Sequence, residues 1–255
     1  MKKSLLLGLI LNLFFNFLYG QLNSGNSTVN GLPVSDMYSE DALLLPYPKS
    51  DYTQILGLRS DNLREIYNKN LKNGVDGSPY LYESWDNSSK IFYKDKIYSI
   101  NTLNYNLYAD RFEAKLSLDS VFALNPESVK KVILNNRVFR EYLEPESQIS
   151  GYYEELGDFE GYRLLRKYSV KVKDAPVNPL TNVKVSNDEL VQSEVFYIID
   201  LTTNNLNKIK LKKSDIEPLF KKEKLNSLNK FVKANHLKYN DTDDIGKIIR
   251  HYNTL

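Results

Sequence analysis

Catalysis by this chain would depend on a small set of side chains. It has no cysteine and only two histidines, His236 and His251, both within the last twenty residues. Nucleophilic catalysis through cysteine is therefore excluded, and a Ser–His–acid triad needs a histidine that can reach an activated serine. Neither histidine lies near a glycine-flanked serine. We interpret His236 as a surface or helix-end residue and His251 as a favourable charge at a helix C-terminus.

Paired carboxylates are the remaining route to hydrolysis, because glycoside hydrolases can operate with two of them and no histidine. Four acids, Glu154, Glu155, Asp158 and Glu160, cluster around one predicted hairpin. Strand alternation points Glu154 and Glu155 to opposite faces, and the other two fall in the turn. Catalytic acids need a concave, partly desolvated setting, so we favour a solvated turn over a carboxylate-pair hydrolase.

Metal and cofactor sites have little support in the sequence. Asp241, Asp243 and Asp244 resemble part of a calcium loop, but the required glycine and the terminal glutamate are missing. Helix capping explains these acids better. Ligands spaced as in zinc or iron sites are not found, nor is a glycine-rich phosphate loop. We therefore expect no catalytic residues, no metal and no cofactor.

Three aromatic residues are the candidate ligand-stacking site. Tyr80, Tyr82 and Trp85 form the densest aromatic group of the chain, next to Pro79. Such a group can stack on sugars or peptides. The alternative, which we favour, is that these rings close the open end of a sheet, because aromatic side chains dominate core burial.

The elements that must position these residues are mostly short strands. From residue 76 to residue 213, alternating runs are separated by turn residues, which predicts a mainly β domain of about ten strands. We expect an antiparallel meandering sheet or a partly open barrel, with a polar, exposed loop over residues 174–189. The predicted strands are 90–93, 97–100, 103–108, 111–116, 121–124, 129–134, 138–142, 151–156, 162–172, 195–199 and 208–211.

Residues 214–255 change to helical spacing and predict a short C-terminal helical tail, which makes the fold α+β. Ser214–Glu217 has the pattern of a capping box, and Thr242–Asp244 begins a further helix with acids at its positive end. Such short helices are marginal in isolation, so we expect their apolar stripes to pack on the sheet or on a partner. The stripes are Leu225, Leu228, Phe231 and Val232, and then Ile245, Ile248, Ile249 and Tyr252.

The N-terminus has the layout of a secretory signal peptide. Lys2 and Lys3 precede the apolar run Leu5–Phe17, Gly20 is the residue before the expected cut, and the polar mature chain would begin at Gln21. The run is too short for a spanning helix, so a retained anchor is the weaker alternative and no transmembrane segment is expected after cleavage. Without cysteine the mature chain cannot be a lipoprotein. Residues 21–75 are interpreted as a flexible leader followed by a short helix at 60–68.

The net charge gives no reason to expect nucleic acid as a partner. The chain has 34 basic and 32 acidic residues, and two of the lysines belong to residues 1–20. The predicted mature chain is therefore balanced, with 32 of each. A balanced surface likewise predicts no attraction to an anionic membrane.

The order of these segments resembles a family of uncharacterised exported proteins from Bacteroidetes-type bacteria, over residues 76–255. This resemblance implies a periplasmic or outer-membrane-associated β-sheet protein without a known reaction, and it transfers no functional residue. Asp119-Ser120-Val121 also matches the short O-glycosylation pattern of such bacteria, which makes Ser120 a weak candidate. The residues that carry the resemblance are Gly77–Leu81, Tyr105–Tyr108, Phe112–Glu113, Gly151–Glu154, Leu164–Tyr168, Phe196–Tyr197 and Tyr252–Asn253.

Together these features predict a non-catalytic exported envelope protein. It would be an accessory subunit of an outer-membrane-associated assembly for secretion, assembly or uptake, with a protein partner at the outer membrane. The alternative is a carbohydrate- or peptide-binding module that uses Tyr80, Tyr82 and Trp85. A secreted carboxylate-pair hydrolase is a third, weaker hypothesis, and the sequence identifies no small ligand.

Overall fold

A computed structural model gives the fold of most of the chain after residue 74. The described residues are three short strand segments, 28–29, 32–33 and 56–59, followed by 75–117, 120–125, 129–144 and 147–255. The predicted signal peptide (1–20) and the predicted helix (60–68) lie outside them. In the described part of the chain, no helix has the length and apolar character needed to cross a membrane.

The chain is mainly β, as predicted, and it divides into two units, residues 1–43 and 44–255. The first contains the antiparallel pair β1 (Thr28–Val29) and β2 (Leu32–Pro33). The strands of the second unit are β3 (Leu56–Arg59), β4 (Val75–Asp76), β5 (Ser89–Tyr93), β6 (Lys96–Tyr98), β7 (Leu103–Asn106), β8 (Arg111–Ser117), β9 (Ser120–Leu124), β10 (Val129–Leu134), β11 (Arg137–Leu143), β12 (Ser150–Phe159), β13 (Tyr162–Lys173), β14 (Asp188–Asp200) and β15 (Leu206–Ile209).

The strands of the second unit form a large and a small sheet. The large sheet has the order β15-β14-β13-β12-β11-β10-β5-β6, and the small sheet has the order β3-β9-β8-β7. Most neighbours in the large sheet are consecutive in the chain and antiparallel, so the predicted meander is confirmed. Its end strands, β15 and β6, do not pair with each other among the described strands, so the sheet is open. The pairing of β4 with β14 is parallel and was not predicted.

Two turns show where the sequence pattern succeeded and where it failed. The predicted two-residue turn between β10 and β11 is confirmed, with φ values of 48° at Asn135 and 64° at Asn136. The predicted five-residue turn over 157–161 is wrong. A bulge at Gly157 shifts the register, β12 continues to Phe159, and the chain turns over residues 160–161.

Aromatic rings join the two sheets. Phe112 of the small sheet lies edge-on to Phe139 and Tyr152 of the large sheet, with ring centroids 5.4 Å and 4.9 Å apart. Tyr105 stacks on Phe112 at 4.9 Å and also contacts Phe139. All four side chains are almost fully buried. This cluster packs the small sheet against β11 and β12 of the large sheet.

The helical tail consists of α1 (Lys213–Ile216), a short 3-10 turn (Glu217–Leu219), α2 (Lys222–Ala234) and α3 (Thr242–Tyr252). The predicted capping box at Ser214 is wrong. Because α1 already begins at residue 213, the Ser214 hydroxyl lies inside the helix and donates to its neighbour Asp215.

The tail packs against the large sheet, as expected from its apolar stripes. Gly157 makes this contact close, since a Cβ atom there would lie 2.9 Å from Cγ2 of Ile249. The predicted stripe residue Phe231 instead stacks on His251, with ring centroids 3.7 Å apart. The shared core consists of Phe159, Leu164 and Ile198 from the sheet, Leu211 from the chain after β15, and Ile216, Phe220, Leu228, Tyr239, Ile245, Ile248, Ile249 and Tyr252 from the tail.

Candidate functional site

The acidic residue Glu154 is buried, contrary to the solvated turn that the sequence suggested. It lies directly opposite Arg166 on neighbouring strands, and both side chains are about 5% exposed. Nη2 of Arg166 lies 2.7 Å from Oε2 of Glu154. Burial acts to lower the pKa of Arg166, but the negative charges of Glu154 and Glu194 outweigh it and raise that pKa. Arg166 therefore stays protonated and is held by a buried ion pair with Glu154.

The pair belongs to a larger network between the aromatic cluster and the helical tail. The Tyr168 hydroxyl donates to Glu154 at 2.6 Å and accepts from Arg137 at 3.1 Å. On the other side, Arg166 donates to the Thr242 hydroxyl at the start of α3, at 3.2 Å. Burial and the nearby Glu154 carboxylate raise the pKa of Tyr168. This network holds the sheet and the tail together.

The other three acids of the predicted cluster are each held by a cation. Glu155 and Asp158 both contact Arg163, at 2.7 Å and 2.6 Å. Glu160 accepts hydrogen bonds from Tyr252 and Lys221, which lower its pKa. A general acid needs the opposite shift, because it must hold its proton near neutral pH. Glu155 and Asp158 therefore form ion pairs between β12 and β13, and Glu160 forms an ion pair with the helical tail.

The candidate stacking residues lie in the segment that connects β4 to β5, beside β7 of the small sheet. The Tyr80 hydroxyl donates to the buried Glu113 at 2.7 Å, and burial together with this carboxylate raises the Tyr80 pKa. Trp85 lies edge-on to Tyr80 with centroids 4.7 Å apart, and the Arg137 guanidinium lies 5.7 Å from the Tyr82 ring. All three rings are half-buried. Each ring is thus in contact with the protein itself.

The remaining candidates have local roles or are not described. His236 is exposed beyond the end of α2 with a φ of 53°. Asp241 caps α3 by accepting the backbone N–H groups of Asp243 and Asp244, so the capping interpretation is confirmed. Among the described residues, no three His, Cys, Asp or Glu side chains are placed to hold a metal ion. Ser120 begins β9, and its side chain is not described.

The most distinctive surface is a projecting arm, formed by residues 171–191 of β13, β14 and their connection. The two strands pair continuously, from Tyr162 opposite Asp200 to Lys173 opposite Glu189. The described pairing of β12 with β13, by contrast, reaches only Arg166. Lys171–Lys173 are exposed. On the β13 side the arm therefore extends beyond the described pairing with β12, and on the β14 side only its base pairs with a described strand, β4.

The end of the arm presents four aliphatic side chains to solvent. Val177, Leu180, Val183 and Val185 are 47%, 94%, 61% and 62% exposed. We call these four residues the apolar tip. Monomeric proteins expose single apolar residues routinely, but a group of them on one projecting element is typical of an interaction surface.

The tip is held by a regular pattern of hydrogen bonds. The backbone N–H of Val185 donates to the carbonyl of Pro176 at 2.9 Å, and that of Asn178 donates to Val183 at 2.9 Å. Asp188 accepts from the Ala175 backbone N–H and pairs with Lys184, and both contacts lower the Asp188 pKa. The apolar side chains are thus displayed on an ordered frame.

The predicted exposed loop over residues 174–189 is confirmed for residues 174–187, which connect the end of β13 at Lys173 to the start of β14 at Asp188. The sequence pattern did not indicate that the aliphatic side chains of this loop form one exposed apolar group. For the buried network, the signal was the hairpin register, which places Arg166 opposite Glu154.

The comparisons with known proteins leave the chain without an assigned relative. No protein-family model matches it. No curated protein and no solved structure matches it either. The resemblance to exported Bacteroidetes-type proteins therefore stays a hypothesis from sequence.

Proposed function

We propose that this protein is an exported, non-catalytic interaction subunit of an assembly at or under the outer membrane. The apolar tip of the arm is the observation that carries the proposal. It places Leu180, the most exposed large apolar side chain described, at the end of an ordered projection. A rigid apolar projection suits insertion into a hydrophobic pocket of a protein partner.

The chemistry of the arm supports a protein partner. Its apolar side chains are aliphatic, and they are surrounded by polar residues such as Asn178, Asn182 and Lys184. An apolar centre with a polar rim is the usual anatomy of a protein interface. Burying one leucine or valine side chain contributes about 1.5–3 kcal/mol. The four residues of the tip are thus sufficient for a small anchoring site.

The cellular location in this proposal rests on the sequence of residues 1–20. A basic start, a short apolar run and Gly20 before Gln21 are the pattern of a cleaved secretory signal. N-terminal sequencing of the protein from its native host tests this part. A chain that begins at or near Gln21 supports export, and an intact Met1 in the envelope contradicts cleavage.

The docking role is tested by removing the apolar tip while keeping the frame. The test variant carries Leu180→Ser, Val183→Ser and Val185→Ser. The control carries Ile97→Ser and Ile149→Ser, two residues of similar exposure away from the arm. Each is expressed in a deletion strain of the native host, crosslinked and recovered from outer membranes.

We expect the wild type and the control to recover the same partner, and the tip variant to recover at least tenfold less of it. The tip variant should also fail to complement the deletion. Equal recovery and equal complementation by the tip variant would contradict the proposal.

A further inference from the structure

Strand β14 has an unpaired stretch on its outer side. Its inner side pairs with β13 over almost its whole length. On the outer side, β4 pairs with Asp188–Glu189, and β15 pairs with Phe196–Ile199. The chain that follows β4 crosses near Gln192, whose side-chain amide donates to the Tyr80 carbonyl at 2.8 Å. The described strands leave Ser193–Val195 without a partner on this side.

A groove lies at the same place. Its volume is about 950 Å³, and it is lined by Glu194–Phe196 of β14, by Lys208–Lys212, and by Asp215 and Asn240. Consecutive residues of both segments, 194–196 and 208–212, line the groove. It therefore runs along the backbone where the segment after β15 separates from β14. Phe196 and its direct neighbour across the sheet, Ile209, are partly exposed here and supply apolar surface.

The charged side chains of the groove that have no described ion-pair partner are lysines. Lys208 and Lys210 are exposed, and within the described part of the chain neither forms an ion pair. The acids of the wall already have partners: Glu194 lies 3.4 Å from Arg166, and Asp215 lies 3.1 Å from Lys212. The surrounding region is also basic, since residues 206–255 contain twelve Lys or Arg and only six Asp or Glu.

We propose that this groove binds an extended, acidic peptide segment of a partner protein. The segment adds as a short strand beside Ser193–Val195, whose outer-side backbone groups, unpaired by the described strands, supply the hydrogen bonds of strand addition. An apolar side chain of the segment contacts Phe196 and Ile209, and its carboxylates pair with Lys208 and Lys210. Lysines on sheet edges also prevent aggregation, but that role predicts no preference for one peptide charge. The site is separate from the apolar tip and does not rest on the docking proposal.

The test uses labelled hexapeptides and the full-length protein. One peptide alternates glutamate and valine, and its counterpart alternates lysine and valine; binding is measured by fluorescence anisotropy. Two further versions of the acidic peptide are N-methylated, one at the glutamates and the other at the valines. In strand addition only one set of alternate amides bonds to the protein.

We expect the acidic peptide to bind at least fivefold more tightly than the basic one. One N-methylation pattern should abolish binding and the other should retain it. Lys208→Gln with Lys210→Gln should weaken binding at least fivefold, whereas Lys94→Gln with Lys96→Gln, at the opposite end of the sheet, should leave it unchanged.

Four results would overturn the proposal. They are absence of binding at millimolar peptide, equal binding of both charges, equal losses in both lysine variants, and insensitivity to both N-methylation patterns. The last would show general charge attraction rather than strand addition.

Discussion

Strands β13 and β14 form one continuous ribbon whose two halves lie in opposite environments. In the inner half, Leu164 and Leu165 are fully buried, and Arg166 is held by Glu154. In the outer half, the arm exposes Val172 and its four-residue tip. The two strands pair with each other in both halves, as far as Lys173 opposite Glu189. The difference shows that coverage by other elements, and not strand pairing, divides the ribbon into a stabilising part and an accessible part.

The same contrast applies to ion pairs. Arg166 and Glu154 are buried at the seam where the aromatic cluster and α3 meet the sheet. Lys173 and Glu189, on the arm, lie 3.9 Å apart and are largely exposed. Exposed pairs contribute little, whereas loss of one partner of a buried pair leaves an uncompensated charge. Changes in the inner half should therefore affect stability, and changes in the arm should affect binding.

The largest expected effect is alkaline unfolding, because buried tyrosines are concentrated outside the arm. Burial and a neighbouring carboxylate raise the pKa of Tyr168, and burial, Glu155 and Arg163 together set that of Tyr142 to about 12. A raised pKa stabilises the fold below the ordinary tyrosine pKa of about 10 and loses this contribution above it. We expect stability to fall steeply between pH 10 and 12.

Absorbance at 295 nm, followed together with circular dichroism, checks this prediction. Phenolate absorbance should rise in step with the loss of structure. Full ionisation of the tyrosines in a folded protein would contradict it.

The second prediction compares a buried glutamate beside the inner half of the ribbon, Glu154 of β12, with an exposed one on the arm, Glu189 of β14. Glu154→Gln removes the charge that balances Arg166 and should lower the free energy of unfolding by about 3–5 kcal/mol. Glu189→Gln on the arm should cause no measurable change. Urea denaturation of both variants is the measurement, and equal stabilities would contradict the proposed division of the ribbon.

The third prediction concerns the contact between tail and sheet. Gly157→Ala places a Cβ atom 2.9 Å from Cγ2 of Ile249, and such overpacking should cost about 1–3 kcal/mol. Gly246→Ala lies on α3, where the nearest atom is Nη1 of Arg250 at 3.4 Å. This second change should stabilise the protein by about 0.5–1 kcal/mol, since alanine favours helix. Thermal unfolding should show shifts of opposite sign.

Local patterns predicted most strands, because alternation and turn residues are encoded by neighbours in the chain. The asparagine pair between β10 and β11 is an example, and the apolar stripe of α3 is another. The buried state of Glu154 could not be predicted in this way. It depends on α3, whose Thr242 contacts Arg166 across 76 residues of sequence.

The length of β14 was also hidden from local patterns. Only residues 195–199 were predicted as strand, but the strand begins at Asp188. Its polar outer half has no apolar alternation, and it is a strand because it pairs with β13. The exposure of the apolar tip follows the predicted loop, but the grouping of its four aliphatic side chains depends on hydrogen bonds across that loop, such as the one from Val185 to Pro176, which local patterns do not encode.

The smallest expected effect is on the stability of the tip variant. Leu180, Val183 and Val185 are too exposed to contribute much to the folded state, so their replacement by serine should change the free energy of unfolding by less than about 0.5 kcal/mol. Urea denaturation checks this result. A larger loss would mean that the tip is part of the core of the protein.

The most direct test of the docking role is site-specific photocrosslinking in the native host. A benzophenone amino acid is introduced at Leu180 on the arm and, in a second protein, at Ile97 at the far end of the sheet. Both positions are highly exposed, at 94% and 60%. The proposed role predicts one discrete crosslinked protein partner from position 180 and none of it from position 97. The same product from both positions, or no product from position 180, would contradict the role of the arm.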